Sequence, residues 1–197
     1  MNDQSRIILP SDGVPLTPLL EEEDLQRLKG FSVPNLNLRT TCEKGVVNFS
    51  TDVQRALIMV MPFRCMPPTN VAADWHRIPG AAGCLSACEI GEEESGYMEF
   101  HRINKVFVVC GAHLDRLRNR DCFLSNPTQL IGVEDDQCKL LSALKLKQWQ
   151  SVEGASKFLF HPRVTLLIGD GVIMDCFSTQ SGEKQLFEAL LAMGTPH

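Results

Sequence analysis

Residues 56–63 read ALIMVMPF, a nearly uninterrupted apolar run that contains Pro62. Such a run is typical of a central strand that helices cover on both faces, because neither face then meets water. The strand is expected to end at Pro62, since proline has no N–H to donate within a sheet. The run therefore predicts the buried centre of an α/β fold.

The sequence before this strand divides into two parts. Residues 1–30 hold three prolines and the acidic run 21–24, and they predict an N-terminal extension that ends in a short helix over 21–28. From Phe31 onward, residues 32–40 alternate apolar and polar side chains, and VVNF follows a turn, which predicts a β-hairpin. We therefore divide the chain into an extension, 1–30, and one domain, 31–197.

The sequence after the strand alternates loops, helices and further strands. A proline- and glycine-rich loop over 64–83 leads to Cys84, and residues 85–100 predict a helix. The later predicted elements share clear apolar patterns: a strand in 105–113, a short helix near 115–121, a strand at 129–133, a helix at 135–146 capped by Asp135 or Asp136, a hairpin over 163–177 that turns at 169–171, and a helix at 182–194 closed by Gly194. This order predicts an α/β sandwich with reactive groups at the carboxyl ends of its strands.

Composition and charge exclude several classes of function. The 197 residues suit one domain, and a net charge of −5 offers no basic surface for nucleic acid or anionic lipid. No stretch reaches the roughly 18 apolar residues that span a bilayer, and the polar first residues lack the apolar core of a secretory signal. We expect a cytoplasmic protein that binds neither nucleic acid nor membrane and is a monomer or a homodimer.

Eight cysteines do not indicate a disulfide scaffold here, because they are diluted in a chain long enough to form its own core. Reduced thiols are the expectation. Cys110 and Cys176 stand within apolar runs, where a cysteine is usually a buried and unreactive side chain.

Three segments carry a resemblance to a known family: VMPFRCMPP at 60–68, WHRIPGAAGCLSAC at 75–88 and HPRVTLLIGDGVI at 161–173. They resemble the bacterioferritin-comigratory type of peroxiredoxin over residues 31–192. The resemblance implies a thioredoxin-like fold, with a central mixed β-sheet flanked by helices. It also implies a thiol-dependent peroxidase that reduces hydrogen peroxide or alkyl hydroperoxides without a cofactor or a metal, and that a thioredoxin-like protein reduces in turn.

The family's functional residues match three positions of this sequence. The resemblance implies that Cys84 is the nucleophile, passing through a sulfenic acid, that Cys88 resolves it, and that Arg163 assists. A cysteine in the first turn of a helix lies near N–H groups without intrahelical partners and near the positive end of the helix dipole. Both favour the thiolate. A guanidinium such as that of Arg163 would stabilise the thiolate further and polarise a bound peroxide.

The sequence departs from the family at several of these positions. Cys84 and Cys88 are separated by three residues where the family has four, Leu85 and Ser86 replace a threonine and a proline, and Ala81 stands where a threonine hydroxyl is usual. Side chains four apart on an intact helix are not oriented for a disulfide, so Cys88 needs local unwinding. Cys65 and Cys42 are the alternative resolving thiols.

Two other classes of function stay open. In the first, the chain keeps the thioredoxin fold but has lost turnover and acts as a redox-sensing or interaction module. In the second, Cys65, His76, Cys84 and Cys88 form a zinc site, although their spacing fits no standard pair of zinc knuckles. Trp75 is interpreted as a packing residue of the loop.

Overall fold

The structure is a computed structural model. It describes residues 6–7, 20–41, 45–61, 90–110, 129–135, 137–146, 149–153, 156–160, 163–178 and 185–194.

The helices and strands follow one another in an alternating order. Within the described residues the helices are α1 (Glu22–Leu28), α2 (Glu92–Phe100), α3 (Lys139–Ala143) and α4 (Gln185–Ala192). The strands are β1 (Arg6–Ile7), β2 (Asn37–Thr40), β3 (Val46–Asn48), β4 (Arg55–Val60), β5 (Val106–Cys110), β6 (Leu130–Glu134), β7 (Trp149–Glu153), β8 (Ser156–Phe160), β9 (Val164–Gly169) and β10 (Val172–Phe177).

The main sheet is mixed, as the resemblance implies. In the described part of the chain it has seven strands in the order β10-β9-β4-β5-β6-β2-β3. Strands β4, β5 and β6 run parallel, whereas β9 is antiparallel to β4 and β2 is antiparallel to β6. Strand β4, which includes residues 56–60 of the ALIMVMPF run, lies inside the sheet with β9 on one side and β5 on the other. The predicted central strand is confirmed.

Strand β4 is buried on both faces because successive side chains point to opposite sides of a sheet. Ile58 and Val60 belong to one apolar cluster, whereas Leu57 and Met59 belong to the other. Each of these four side chains is at most 1% exposed. This double burial explains why the strand has no polar face in the sequence.

Helices supply the outer layer on each face of the sheet. Leu28 of α1 and Leu140 of α3 pack into the first cluster, while Met98 of α2 and Leu186 of α4 pack into the second. None of the helices within the described residues has both the length and the apolar character needed to cross a membrane.

Both predicted hairpins are confirmed. Strands β2 and β3 pair in antiparallel register, as do β9 and β10. The β9–β10 turn has positive φ at both central residues, 48° at Asp170 and 75° at Gly171. Two-residue turns of this kind match the twist of the strands that they join, and aspartate followed by glycine tolerates them well.

Gly171→Ala is expected to destabilise the protein by more than the roughly 1–2 kcal/mol that a left-handed conformation costs an ordinary residue. The reason is that a Cβ at Gly171 would lie 2.8 Å from the backbone oxygen of Ser50. The control is Gly45→Ala, because Gly45 has φ of 69° and no atom within 4 Å of its Cβ position. Urea unfolding measures both, and an equal loss of stability in the two variants would contradict the expectation.

The segment of the N-terminal helix packs along β10, the outermost strand of the main sheet. Leu28 is fully buried, and the chain that follows α1 runs beside β10. Gly30 donates a backbone hydrogen bond to Ile173 at 2.8 Å, Ile173 donates one to Phe31 at 2.9 Å, and Val33 donates one to Gly171 at 2.8 Å. The boundary between an extension, 1–30, and a domain, 31–197, stays a prediction.

The helix predicted over 135–146 is shorter in the structure. It begins at Lys139, after Cys138 in a left-handed conformation, and ends at Ala143. Asp135 does cap it, because its carboxylate accepts hydrogen bonds from the backbone N–H groups of Lys139 at 2.8 Å and Leu140 at 3.0 Å. Asp135 therefore supplies the predicted capping hydrogen bonds, but the N-cap position itself is Cys138. Of the helix predicted at 85–100, α2 occupies 92–100, and residues 85–89 lie outside the described residues.

A second, small sheet was not predicted. Within the described residues it contains three strands in the order β1-β7-β8, with β1 parallel to β7 and β7 antiparallel to β8. Strand β1 has two residues, and its partner β7 is distant in sequence. No local sequence pattern therefore predicts this pairing. The predicted helix near 115–121 lies outside the described residues.

Candidate functional site

The carboxyl ends of the parallel strands meet at one edge of the main sheet. There Val60 of β4 lies opposite Val109 of β5, and Cys110 of β5 lies opposite Glu134 of β6. Strand β9 runs the other way, so its beginning lies at the same edge, where Val164 is opposite Val60. This carboxyl-end edge of the sheet is the candidate site.

The sequence-predicted cysteines lie outside the described residues. Residues 62–89, which include Cys84, Cys88 and Cys65, follow directly after Met61 in the chain. Met61 is the last described residue of the β4 segment, and its N–H donates to the carbonyl of Val109 at 2.9 Å. The segment that carries the cysteines therefore begins at this edge. Cys42 and His76 also lie outside the described residues.

Arg163 lies at the edge and is buried, with 2% of its surface exposed. It immediately precedes β9, and its Nη1 donates to Oε1 of Gln185 at 2.7 Å. The same nitrogen lies 3.4 Å from Sδ of Met61. Because the arginine guanidinium stays protonated in proteins, these contacts hold a permanent positive charge inside the molecule, beside the last described residue of the β4 segment.

Gln185 contacts Arg163 at this edge, and the sequence analysis gives it no role there. It opens α4, is fully buried, and uses both ends of its amide. While Oε1 accepts from Arg163, Nε2 donates to Oγ1 of Thr165 at 3.0 Å and to the carbonyl of Val164 at 3.3 Å. Its spacing places Gln185 on the same helical face as Ala189, four residues on, which is also fully buried, but that spacing does not indicate the partners of the amide.

Two carboxylates at or near the edge form other contacts. Glu134, which is 8% exposed, accepts from Arg39 at 3.1 Å, and Asp135 caps α3. No group of three or more histidine, cysteine, aspartate or glutamate side chains suited to a metal ion occurs among the residues that the structure describes. The four residues of the predicted zinc alternative lie outside them.

Cys110 and Cys176 are buried, as predicted for structural thiols. The Sγ of Cys176 donates to the carbonyl of Leu25 at 2.9 Å. Burial, and then the charge of Asp175, raise the pKa of the Cys176 thiol to about 11. At neutral pH this thiol stays protonated, so it lacks the thiolate that a cysteine nucleophile requires.

No protein-family model and no curated protein sequence matches this chain. Solved structures do match. Peroxiredoxin Q of Xanthomonas campestris is similar with a TM-score of 0.58 and 13% identity, covering 82% of this chain and 91% of that chain. The fold is that of the peroxiredoxins.

Two further structures with the peroxiredoxin fold agree. Peroxiredoxin Q of Xylella fastidiosa has a TM-score of 0.54 and 16% identity, covering 84% of this chain and 94% of that chain. The peroxidoxin BcpB of Mycobacterium tuberculosis has a TM-score of 0.56 and 13% identity, covering 84% and 95%. The thioredoxin-like fold implied by the sequence resemblance is confirmed, and at these identities the similarity is one of fold.

Proposed function

We propose that this chain is a thiol peroxidase in which Cys84 is the nucleophile and Arg163 is the cation that supports it. The observation that carries the proposal is the buried guanidinium of Arg163, 3.4 Å from Sδ of Met61, after which the segment containing Cys84 begins. A fixed positive charge at this place favours a thiolate and the negative charge that develops on a peroxide oxygen.

The proposed reaction proceeds in two thiol steps. The Cys84 thiolate attacks one peroxide oxygen, a sulfur–oxygen bond forms, and the oxygen–oxygen bond breaks. The leaving oxygen takes up a proton and departs as water or an alcohol, which leaves a sulfenic acid on Cys84. A second thiol then attacks the sulfenic sulfur, a disulfide forms, and water leaves. An external dithiol, for which we propose a thioredoxin-like protein of the cytoplasm, reduces the disulfide.

We propose Cys88 as the second thiol, with Cys65 and Cys42 as the alternatives. Cys176, which is buried, is less suitable. Cys176 lies on β10 with its Sγ bonded to Leu25, and its raised pKa keeps it protonated.

Alkyl hydroperoxides belong to the proposed substrates together with hydrogen peroxide. One similar structure, the bacterioferritin comigratory protein of Xanthomonas campestris, is described for its alkyl peroxide reduction activity. It covers 82% of this chain at 13% identity with a TM-score of 0.56. That activity supports the choice of alkyl hydroperoxides as a substrate class to test here.

A second candidate function follows from Ala81. A threonine hydroxyl at this position would donate a hydrogen bond to the thiolate or the peroxide, and alanine has none. In this alternative the chain forms a sulfenic acid or a disulfide with stoichiometric peroxide but does not turn over, and it acts as a redox-sensing or interaction module.

The test treats the full chain with hydrogen peroxide, traps sulfenic acid with dimedone, and locates the adduct by mass spectrometry. We expect one adduct, on Cys84, and continuous peroxide consumption when a dithiol reductant is present. Cys84→Ser should lose both. Cys122→Ser, a matched change at another thiol of the same chain, should lose neither.

Each outcome selects one function. An adduct on Cys84 without sustained consumption supports the redox-sensing module. An adduct on another cysteine overturns the assignment of Cys84, and peroxide consumption that Cys84→Ser leaves unchanged overturns the proposed mechanism.

A further inference from the structure

Gln185 joins Arg163 to the main sheet from the first position of α4. It is fully buried, although the other buried residues of this helix, Leu186, Ala189 and Leu190, are apolar. We propose that Gln185 is a positioning residue that orients the Arg163 guanidinium toward the reacting groups. This inference rests on the proposed peroxidase function and extends it to a residue outside the segment that carries the cysteines.

The orientation of the Gln185 amide follows from its partners. Arginine only donates hydrogen bonds, so the amide oxygen must face Nη1 of Arg163, at 2.7 Å. The amide nitrogen then faces the carbonyl of Val164 and the hydroxyl of Thr165. Rotating the amide by half a turn would place its N–H₂ against the guanidinium and its oxygen against the carbonyl of Val164. The network therefore permits one arrangement of the side chain.

The two ends of the amide make Gln185 a bridge between the cation and β9. Thr165 is fully buried and Val164 is fully buried, so the nitrogen end is anchored in a rigid part of the sheet. The amide oxygen accepts the hydrogen bond from Nη1 of Arg163 and so fixes the guanidinium relative to β9. A long side chain such as arginine loses much rotamer freedom when it is fixed, and this bridge holds the fixed state in place.

The neutrality of Gln185 has a chemical consequence. A carboxylate at the same place would also accept from Arg163, but its negative charge would oppose the negative charge of a thiolate nearby. An amide accepts the hydrogen bond without adding a charge. Gln185 therefore orients the guanidinium without placing a negative charge of its own beside it.

The test is Gln185→Glu, which changes the charge and keeps the shape. The pH dependence of iodoacetamide alkylation, followed on the Cys84 peptide by mass spectrometry, gives the pKa of the Cys84 thiol. We expect that pKa to rise by about one unit, and kcat/KM for hydrogen peroxide at neutral pH to fall roughly tenfold. At a pH above the raised pKa, Cys84 is a thiolate in both the variant and the wild type. The difference in kcat/KM between them should therefore become smaller as the pH rises above that pKa.

The matched control is Gln26→Glu, which makes the same change at an exposed position of α1. It should leave the pKa of Cys84 and kcat/KM as they are in the wild type. A second variant, Thr165→Val, keeps shape and charge and removes only the hydroxyl that anchors the nitrogen end of Gln185. It should lower kcat/KM about two- to tenfold, the usual worth of one hydrogen bond.

The outcomes separate the inference from the proposed function. If Gln185→Glu folds as the wild type does and leaves both the pKa of Cys84 and kcat/KM unchanged, the inference is overturned while the peroxidase stands. If the wild type consumes no peroxide, the peroxidase fails, but the alkylation profile still decides whether Gln185 acts on Cys84. If Gln185→Glu does not fold, Thr165→Val decides, and an unchanged kcat/KM overturns the inference.

Discussion

Arg163→Met is expected to lower kcat/KM for hydrogen peroxide by roughly 10²- to 10³-fold, the usual effect of removing one preorganised donor from a site where charge develops. Methionine keeps much of the length and apolar surface of arginine but carries no charge and donates no hydrogen bond. The thiolate and the peroxide would thus lose the cation that we propose for them. Steady-state peroxide consumption with excess dithiol measures the effect.

Stability must be measured on the same variant. Removing the guanidinium leaves Oε1 of the buried Gln185 without its donor, which costs about 1–3 kcal/mol. If Arg163→Met still unfolds cooperatively in urea, it is folded under the assay conditions. A loss of kcat/KM in this variant then reflects the site and not unfolding.

The matched control is Arg55→Met at the opposite end of the same strand pair. Arg55 begins β4 and lies opposite Gly169, and its Nε donates to the carbonyl of His101 at 2.9 Å. This arginine is thus remote from the edge where Arg163 lies. We expect Arg55→Met to keep wild-type kcat/KM. Equal losses in both variants would contradict a local role for Arg163, and no loss in Arg163→Met would remove it from the mechanism.

Phe49→Ala is expected to lower the free energy of unfolding by about 3–5 kcal/mol. Phe49 follows β3, is 1% exposed, and packs edge-on against Phe107 of β5, with ring centroids 5.0 Å apart. Alanine would remove both the buried apolar surface and this contact, and it would leave a cavity inside the first cluster. Urea unfolding at constant m measures the change.

Phe100→Ala serves as the comparison. Phe100 ends α2 and is 50% exposed, although its ring also makes an edge-on contact, with His101. Because water already covers half of this side chain, its loss should cost less than about 1 kcal/mol. If the two substitutions cost the same, the burial of Phe49 does not determine its contribution.

Local patterns in the sequence predict much of the main sheet. The ALIMVMPF run identifies β4 because a strand covered on both faces has no polar alternation, and Asp170 with Gly171 identifies the β9–β10 turn because both tolerate positive φ. The role of Arg163 is implied by the resemblance and stays a prediction. The structure places Arg163 next to Val164, at the edge where the parallel strands end.

Other features depend on contacts between distant residues and leave no local pattern. Strand β1 consists of two residues that form a strand only because β7 lies beside them. The sequence pattern places Gln185 in a helix but does not predict its contacts. The partners of its amide, Arg163 and Thr165, precede it by 22 and 20 residues. Helix α3 begins late because Cys138 adopts a left-handed conformation. The apolar pattern around Cys138 does not predict that conformation.

The chain that follows α1 has a consequence for association between molecules. An edge strand offers its backbone N–H and C=O groups to any other extended chain, and such edges are common starting points for aggregation. At the start of β10, the carbonyl and the N–H of Ile173 already bond to residues 30 and 31, and the carbonyl of Gly171 in the preceding turn bonds to Val33. The segment that precedes the main sheet in sequence thus acts as a protective cover, because the backbone groups that it occupies cannot bond to a foreign strand.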